Sequence, residues 1–293
     1  MNIRALYRLF TSEGIPEPLS SAKYILSFAA QNRHKIKRGE AEKPGYDNDT
    51  DVTDDKVKRV YKMIWKRLER QPMQYILGEW QWGNIELFVK KPVFIPRPET
   101  EDLVNLSIDK IRNSFPAKEV TGLDLCCGSG AIGISLLKNI SNLQQITSID
   151  MSNQACELTT LNSEKNNVSS KMTVLQARID ELPGILKRKY DFIVTNPPYV
   201  PDIDMEYIED EVAIYEDPIA LRGGHDGLNV IRKIIEVAPK FLKESGLIFM
   251  EMDSSHYKYI PNLLKDLNSP LTHISNEKDR FGLYRFSIFT LKD

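Results

Sequence analysis

The chain has 293 residues, of which 41% are hydrophobic, and it carries 39 Lys and Arg against 41 Asp and Glu. This length and apolar fraction predict one large or two unequal globular domains and exclude wholesale disorder. No apolar run approaches the roughly 18 residues of a membrane-spanning helix. Three scattered cysteines without a Cys-x-x-Cys pair argue against a disulfide scaffold and against a zinc knuckle.

Charge is distributed unevenly along the chain. Residues 1–91 hold 17 Lys and Arg against 12 Asp and Glu, a balance of +5, and the remaining residues balance to −7. This asymmetry predicts two units with different surfaces. Neither unit is basic enough to indicate a nucleic-acid-binding protein by charge alone.

The first twelve residues have two interpretations. They include Arg4 and Arg8, no acidic residue, and apolar residues at helical spacing. Such a segment is typical of a first core helix, and equally of a short mitochondrial transit peptide, which is amphipathic, basic and poor in acids. The sequence leaves both interpretations open.

The N-terminal part is predicted to be a helical domain over residues 1–73. Residues 1–37 have a helical apolar period, whereas the polar stretch 38–55 has none and predicts a loop or flexible insert. An amphipathic helix follows over residues 57–68, and we expect its apolar face to be core. The two apolar stripes consist of Tyr24, Ile25, Phe28 and Ala29, and of Val57, Val60, Tyr61, Ile64, Trp65 and Leu68.

The rest of the chain is predicted to be a β connector at 74–98 and an α/β domain at 99–293. The connector contains short β-like runs and ends in the sequence IPRPETE. Beyond it, apolar strands alternate with helices, which predicts a parallel sheet covered on both faces. The predicted strands are Gly122–Cys126, Gln145–Asp150, Met172–Gln176, Asp191–Thr195 and Leu247–Met252, with a last strand, Leu283–Leu291, returning antiparallel at an edge.

A glycine-rich turn follows the first strand of this predicted sheet. In the sequence DLCCGSGAIG, Gly128, Gly130 and Gly133 match G-x-G-x-x-G, and Asp150 lies 20 residues past Gly130 at the end of the second strand. Glycines let the backbone turn sharply and approach a ligand, and an acid at this distance binds ribose hydroxyls in dinucleotide-binding proteins. The pattern predicts a nucleoside-binding site. Asp124, just before the turn, favours a cationic group such as the amino group of a methionine moiety over a pyrophosphate.

A second motif, Asn196-Pro197-Pro198-Tyr199, follows the fourth predicted strand. Ligands bind at the carboxyl ends of strands in open α/β sheets, so this motif is expected to face the glycine turn. Methylation of an amide or ring-amino nitrogen is difficult because resonance withdraws the lone pair. Asn196 offers an acceptor for the NH₂ group, Pro197 fixes the backbone so that a main-chain carbonyl accepts the second N–H, and Tyr199 offers a flat packing face.

Four motifs in this order resemble the HemK/PrmC family of protein N5-glutamine methyltransferases. The resemblance covers the connector at 71–104, the glycine turn at 124–136, the NPPYV segment at 196–200 and the stretch 211–228. It implies a Rossmann-like methyltransferase domain. It also implies transfer of a methyl group from S-adenosylmethionine to the glutamine of the Gly-Gly-Gln motif in class-1 peptide-chain release factors.

The resemblance implies a role for individual residues. Two positions depart from the family pattern: Cys126 stands where the family usually has glycine, and Arg178 stands near the usual adenine-contacting acid, with Asp180 two residues on. The implied cofactor-binding residues are Asp124, Cys126, Cys127, Gly128, Ser129, Gly130, Asp150 and Asn196. The implied catalytic residues are Asn196, Pro197, Pro198 and Tyr199, and these with Arg97 and Glu99 are the implied substrate-binding residues.

Other functions remain open at this point. An amino-methyltransferase of a nucleic-acid base also uses an NPPY-type loop, an NAD(P)-binding protein fits the literal glycine pattern, and a catalytically silent binding module is a smaller possibility. The four histidines lack metal-ligand spacing, so we expect no metal. The expected partner is a release factor, without membrane or stable nucleic-acid binding. Mitochondrial and bacterial cytoplasmic enzymes share this architecture, and the acid-free N-terminus favours the mitochondrion.

Overall fold

The computed structural model describes residues 2–39 and 49–291, with side chains described for 2–28 and 57–291. The chain divides into two compact units. The helical unit comprises Met1–Gly78 and Asp210–Tyr215, and the sheet unit comprises Glu79–Glu209 and Glu216–Asp293. No helix among the described residues has the length and apolar character needed to cross a membrane.

The α-helices and the strands are each numbered in their order along the chain. The α-helices are α1 (Ile3–Ser12), α2 (Pro18–Gly39), α3 (Asp49–Leu68), α4 (Met73–Leu77), α5 (Pro98–Ser114), α6 (Ala131–Asn139), α7 (Asn153–Lys165), α8 (Leu182–Ile185), α9 (Asp210–Tyr215), α10 (Asn229–Val237) and α11 (Ile260–Asp266). The strands are β1 (Glu79–Trp82), β2 (Ile85–Phe88), β3 (Val120–Leu125), β4 (Leu143–Asp150), β5 (Met172–Gln176), β6 (Tyr190–Thr195), β7 (Val200–Pro201), β8 (Arg222–Gly224), β9 (Leu242–Glu251), β10 (Leu271–Lys278) and β11 (Tyr284–Leu291).

The first helix belongs to the core of the helical unit. The side chain of Asn2 caps α1 by accepting a hydrogen bond from the backbone N–H of Ala5 at 3.0 Å, which satisfies a donor that the helix itself leaves free. Leu6 and Phe10 are fully buried and pack in one cluster with Ile25 and other apolar residues of α2, α3 and α4. Residues 3–12 therefore form a core helix, as one of the two sequence interpretations predicts.

The apolar stripe predicted on α3 is wider than the face that is buried. Ile64 is 4% exposed, but Val57, Tyr61 and Trp65 are 45%, 56% and 65% exposed. The six predicted residues form two neighbouring rows at a spacing of four, and only the row containing Ile64 faces the core cluster. The prediction of a single core face was therefore wrong for the other row. Tyr24, predicted in the stripe of α2, is likewise 42% exposed.

The polar stretch 38–55 is not one loop. Residues 38–39 end α2 and residues 49–55 begin α3, so the loop prediction was wrong at both ends. Residues 40–48 lie outside the described residues. A polar stretch lacks the periodic signal of burial, but its backbone remains able to form a helix. Residues 73–77, close to the start of the predicted β connector, form the short helix α4, and the connector strands β1 and β2 pair as a hairpin.

A seven-stranded sheet confirms the predicted α/β class. Its order is β10-β11-β9-β6-β3-β4-β5, with β9, β6, β3, β4 and β5 mutually parallel. All six residues of β6 are buried, as expected for a parallel strand covered on both faces. The strand β11 is antiparallel to β9 as predicted, but it does not form the edge. The edge strand on this side is β10, which the sequence did not indicate because Leu271 and Ile274 are its only apolar residues.

The order of the strands leaves a crevice at the carboxyl end of β3. This strand pairs with β4 on one side and β6 on the other, so the connections run in opposite directions from it. Ligands bind at such a switch point. Leu125 lies opposite Thr195 in the sheet, and the segments that follow these two residues therefore leave the sheet at the same level.

Candidate active site

A cavity of about 430 Å³ lies at the carboxyl ends of β3, β4, β5 and β6, a volume suited to a small-molecule ligand. Both predicted motifs contribute to its wall, since it includes Cys126 to Ser129, Asp150 and Asn196 to Tyr199. Arg97 of the connector also lines it. Asp124, Gly130 and Glu99, which the sequence also predicted at the site, do not line this cavity.

The glycine turn is shaped by backbone conformation. Gly128 has φ +55°, and a Cβ at this position would meet no atom within 4 Å, so glycine is favoured there by its backbone angle rather than by space. The backbone N–H of Cys127 donates to the carbonyl oxygen of Ile149 at 3.0 Å, which ties the turn to the end of β4. The turn therefore presents main-chain atoms to the cavity in a fixed arrangement.

Cys126 adopts a backbone conformation that glycine adopts most easily. Its φ is +60°, in the left-handed region, where a Cβ costs roughly 1–2 kcal/mol. Burial raises the pKa of its thiol, and the negative charges of Asp150 and Asp124 raise it further. The thiol is therefore protonated at neutral pH, and the residue shapes the turn rather than acting as a nucleophile.

Asp124 lies beneath the turn rather than in the cavity wall. It is fully buried, and its Oδ2 accepts a hydrogen bond from the Ser148 hydroxyl at 3.2 Å. Burial raises the pKa of Asp124 to about 7, while hydrogen bonds from Ser148 and the backbone N–H of Gly133 lower it. These contacts anchor the first turn of α6, while the Oδ1 of Asp124 is buried without a hydrogen-bond partner among the described residues.

Asp150 is held in the cavity wall by two backbone donors. Its Oδ2 accepts from the N–H of Gly128 and its Oδ1 accepts from the N–H of Ser152, both at 2.9 Å. Burial raises the pKa of this carboxyl, and the two backbone donors oppose the rise. Each oxygen has further acceptor capacity, so the fixed carboxylate suits a pair of ribose hydroxyls.

The wall beyond β5 contains Arg178, the second of the two positions that depart from the family pattern, and the nearby acid Asp180. Arg178 and Asp180 both line the cavity, and the Arg178 Nε lies 3.3 Å from an Asp180 oxygen. Both side chains are about half exposed, so the pair is hydrated and weak. Apolar side chains, among them Ile132 and Ile179, complete a wall that fits a flat base. The residues present therefore fit a cofactor with an adenosine moiety.

The NPPY segment is supported by side chains from two other elements, α5 and β9. The Asn196 Nδ2 donates to the Thr100 hydroxyl oxygen at 3.1 Å, and the Tyr199 hydroxyl donates to Glu251 Oε1 at 3.3 Å. A Cβ at Gly227 (φ +76°) would collide with the Tyr199 carbonyl oxygen, which explains the glycine in the segment GGHDGL. The fourth sequence motif thus packs on the catalytic candidate.

Two buried acids support this side of the cavity, and the sequence did not single them out. Glu216 is 3% exposed, and it accepts from the Arg97 Nη2 at 2.7 Å and from the backbone N–H of Ile95 at 3.2 Å. Glu251 is 1% exposed, and burial raises its pKa to about 7. The available signal for Glu251 was an acid at the carboxyl end of an apolar strand beside β6.

Within the part of the chain that the structure describes, no three His, Cys, Asp or Glu side chains are grouped to hold a metal ion. The cavity joins a glycine turn, a backbone-held acid and an NPPY segment, an arrangement that defines an S-adenosylmethionine-dependent methyltransferase. Residues 106–213 match the Methyltransferase small domain family.

Proteins of known name are similar to this chain over most of its length. The human "MTRF1L release factor glutamine methyltransferase" is 33% identical over 88% of this chain and 76% of the relative. The "Release factor glutamine methyltransferase" of Thermodesulfovibrio yellowstonii is 36% identical over 83% and 85%, and that of Streptomyces coelicolor is 30% identical over 85% and 82%. The chain therefore belongs to the release factor glutamine methyltransferase family.

Proposed function

We propose that this chain transfers a methyl group from S-adenosylmethionine to the side-chain nitrogen of the glutamine in the Gly-Gly-Gln motif of a class-1 release factor. The observation that carries the proposal is the position of Asn196. Its amide is tied to Thr100 and lies in the same cavity wall as the glycine turn and Asp150. The names of the relatives support the release factor as substrate.

The cofactor side of the proposal assigns roles to three parts of the wall. Asp150 accepts hydrogen bonds from the ribose hydroxyls, the main chain of residues 126–129 lies along the methionine part, and the side chains beyond β5 border the base. When bound, S-adenosylmethionine supplies an electrophilic methyl group on a sulfonium. The geometry needs no metal or covalent enzyme intermediate for that chemistry.

The substrate side of the proposal is a problem of orientation. Resonance draws the lone pair of an amide nitrogen into the carbonyl, so the chain has to hold the NH₂ group in one alignment. The Asn196 Oδ1 accepts one N–H, a main-chain carbonyl of the NPPY segment accepts the other, and the Tyr199 ring packs on the planar amide. Fixing the reacting atoms in this way supplies most of the rate. The methylated nitrogen is strongly acidic and loses its proton without a dedicated base.

We further propose that the helical unit recognises the body of the release factor. Residues 1–91 carry the positive balance of the chain, and Val57, Tyr61 and Trp65 form an exposed apolar row on α3. An exposed apolar row beside basic residues suits a protein partner. Substituting this row is expected to raise the KM for the release factor and to leave the affinity for the cofactor unchanged.

For location we propose the mitochondrion. The support is the similarity to the human relative "MTRF1L release factor glutamine methyltransferase", since residues 3–12 themselves form a core helix. Fractionation of cells that express the chain with a C-terminal tag tests this, and a signal confined to the cytosol would overturn it.

The reaction is tested by mass spectrometry of a recombinant release factor after incubation with the chain and S-adenosylmethionine. One added methyl on the Gly-Gly-Gln glutamine, lost with Asn196→Ala and kept with the exposed-helix control Asn262→Ala, supports both the reaction and the site. An unmodified glutamine, with label in RNA or DNA instead, contradicts the proposal and favours base methylation.

A further inference from the structure

Glu251 is a buried acid that contacts the NPPY segment, and the proposed reaction gives it no role. It ends β9, one residue beyond Met250, which pairs with Thr195 at the end of β6. Its side chain therefore lies below the NPPY segment. Its Oε1 accepts from the Tyr199 hydroxyl, and its Oε2 is buried and has no well-aligned hydrogen-bond donor among the described residues. A buried oxygen of this kind calls for a nearby donor.

Thr100 is placed to supply that donor, since its hydroxyl lies close enough to Glu251 to affect the pKa of that carboxyl. Its hydroxyl oxygen already accepts from Asn196, so its single proton is left to donate. A hydrogen bond from Thr100 lowers the pKa of Glu251 and thereby favours the charged carboxylate. Thr100 is 3% exposed, so water does not compete for the proton. The three residues therefore form a hydrogen-bond relay from Glu251 through Thr100 to Asn196.

The direction of the hydrogen bonds in this relay determines which end of the Asn196 amide faces the cavity. An ionised carboxylate only accepts hydrogen bonds, so it takes the Thr100 proton, and the threonine oxygen then only accepts from Asn196. The atom of Asn196 that faces Thr100 must be Nδ2. The carbonyl oxygen Oδ1 is thus left for the cavity, where an acceptor for the NH₂ group of glutamine is needed.

We propose that Glu251 is a positioning residue, which acts through Thr100 to turn the acceptor oxygen of Asn196 toward the substrate amide and which fixes Tyr199 by its other oxygen. The inference rests on the proposed function, because it explains how that site is oriented. If Glu251 is protonated, it donates to Thr100, Thr100 donates to Asn196, and the amide presents its NH₂ group to the substrate NH₂. That arrangement has two donors facing each other.

The groups around Glu251 determine how its state responds to pH. Burial raises its pKa to about 7, the Thr100 and Tyr199 hydroxyls and the Arg285 charge lower it, and the Glu99 charge raises it. These groups come from α5, from the segment after β6 and from β11. Since the charged form gives the productive direction, the methylation rate is expected to fall as the pH drops through about 7.

The test compares kcat and KM for the release factor at saturating cofactor between pH 5.5 and 8.5. We expect Glu251→Gln and Thr100→Val each to lower kcat by about 10- to 100-fold, with KM changed by less than about 3-fold. The kcat of the double variant is expected to be no lower than that of either single variant, because both substitutions break the same hydrogen-bond relay. Thr100→Ser keeps the hydroxyl and recovers most of the rate, and Glu244→Gln on the exposed part of β9 is the matched control.

Thermal unfolding separates positioning from a structural role. The raised pKa means that the unfolded state releases this proton at lower pH than the folded state, so ionised Glu251 destabilises the fold as pH rises from about 4.5 to 7. Glu251→Gln removes that cost. We expect its Tm to equal or exceed that of the parent chain, by a margin that grows over this range, while kcat falls and the acidic limb of the rate profile disappears.

Two kinds of failure are distinguishable. If the parent chain methylates no glutamine, the proposed function fails. If the parent is active, Asn196→Ala is inactive and Glu251→Gln keeps kcat within about 3-fold with an unchanged pH profile, this inference is overturned and the proposed function stands. A second readout is the Kd for the release factor in the presence of S-adenosylhomocysteine, which the inference predicts to be nearly equal in the parent chain and Glu251→Gln.

Discussion

The two walls of the cavity are built by different means. On the cofactor side, main-chain atoms do the positioning: the carboxylate of Asp150 is held by two backbone N–H groups, and the turn at 126–130 is shaped by backbone angles. On the amide side, side chains do it: Asn196 is oriented by Thr100, and Tyr199 by Glu251. The cofactor wall thus depends on one carboxylate that the backbone holds in place, whereas the amide wall depends on hydrogen bonds between side chains.

The difference predicts that substitutions on the two walls change different kinetic parameters. The cofactor wall is expected to determine how tightly the cofactor binds, and the amide wall is expected to determine how fast the methyl group is transferred. The following variants test this separation, in order of decreasing effect.

Replacing Asp150 with asparagine is expected to produce the largest change on the cofactor side. The amide keeps the shape but loses one acceptor oxygen, so either a backbone N–H of the turn or a ribose hydroxyl loses its partner. We expect the Kd for S-adenosylhomocysteine, measured by calorimetry, to rise about 10- to 100-fold, with the KM for the release factor unchanged. Asp109→Asn on the exposed face of α5 is the control. An unchanged Kd would remove Asp150 from the cofactor site.

Replacing Tyr199 with phenylalanine is expected to have a smaller effect on the amide side. The ring face that packs on the substrate remains, but the 3.3 Å hydrogen bond to Glu251 is lost. We expect kcat to fall by about 3- to 10-fold. Because that bond lowers the pKa of Glu251, its loss is also expected to shift the acidic limb of the rate profile to higher pH. Tyr259→Phe, at a side chain that is 55% exposed, controls for the loss of a hydroxyl. A profile that shifts to lower pH would contradict the account.

Changing Cys126 to glycine and to alanine is expected to have the smallest effect. Both variants remove the thiol, but only glycine adopts φ +60° without strain, so the glycine variant is expected to be more stable than the alanine variant by about 1 kcal/mol. Urea unfolding measures the difference. Equal stability of the two variants would show that the left-handed angle at this position carries no cost.

The local parts of the site were predictable from the sequence. The run from β3 through the glycine turn into α6 has a strong signal, because an apolar strand, three glycines and an apolar helix follow one another within 20 residues. The NPPY segment was predictable for the same reason. The predicted strands start one to five residues late at β3, β4, β6 and β9, and the prediction for β3 and β9 also ran one residue too far.

The supporting contacts were not predictable, because they join distant parts of the chain. Thr100 and Asn196 are 96 residues apart, and Tyr199 and Glu251 are 52 apart, so their contacts depend on the register of β9 against β6 and on the docking of α5. Asp124 shows a different limit of the sequence. Its position in the motif predicts a ligand contact, and the structure buries its side chain inside the sheet unit, where Ser148 and α6 meet it, so the ligand contact stays a prediction.

The separation of the two walls is tested most directly by measuring two quantities on the same pair of variants, Asp150→Asn and Asn196→Ala. The quantities are the Kd for S-adenosylhomocysteine and the kcat for glutamine methylation at saturating cofactor. The account predicts a crossed result. Asp150→Asn raises the Kd by at least about 10-fold with kcat nearly unchanged, and Asn196→Ala lowers kcat by about 100-fold or more with the Kd within about 2-fold. Variants that change both quantities in the same proportion would contradict it.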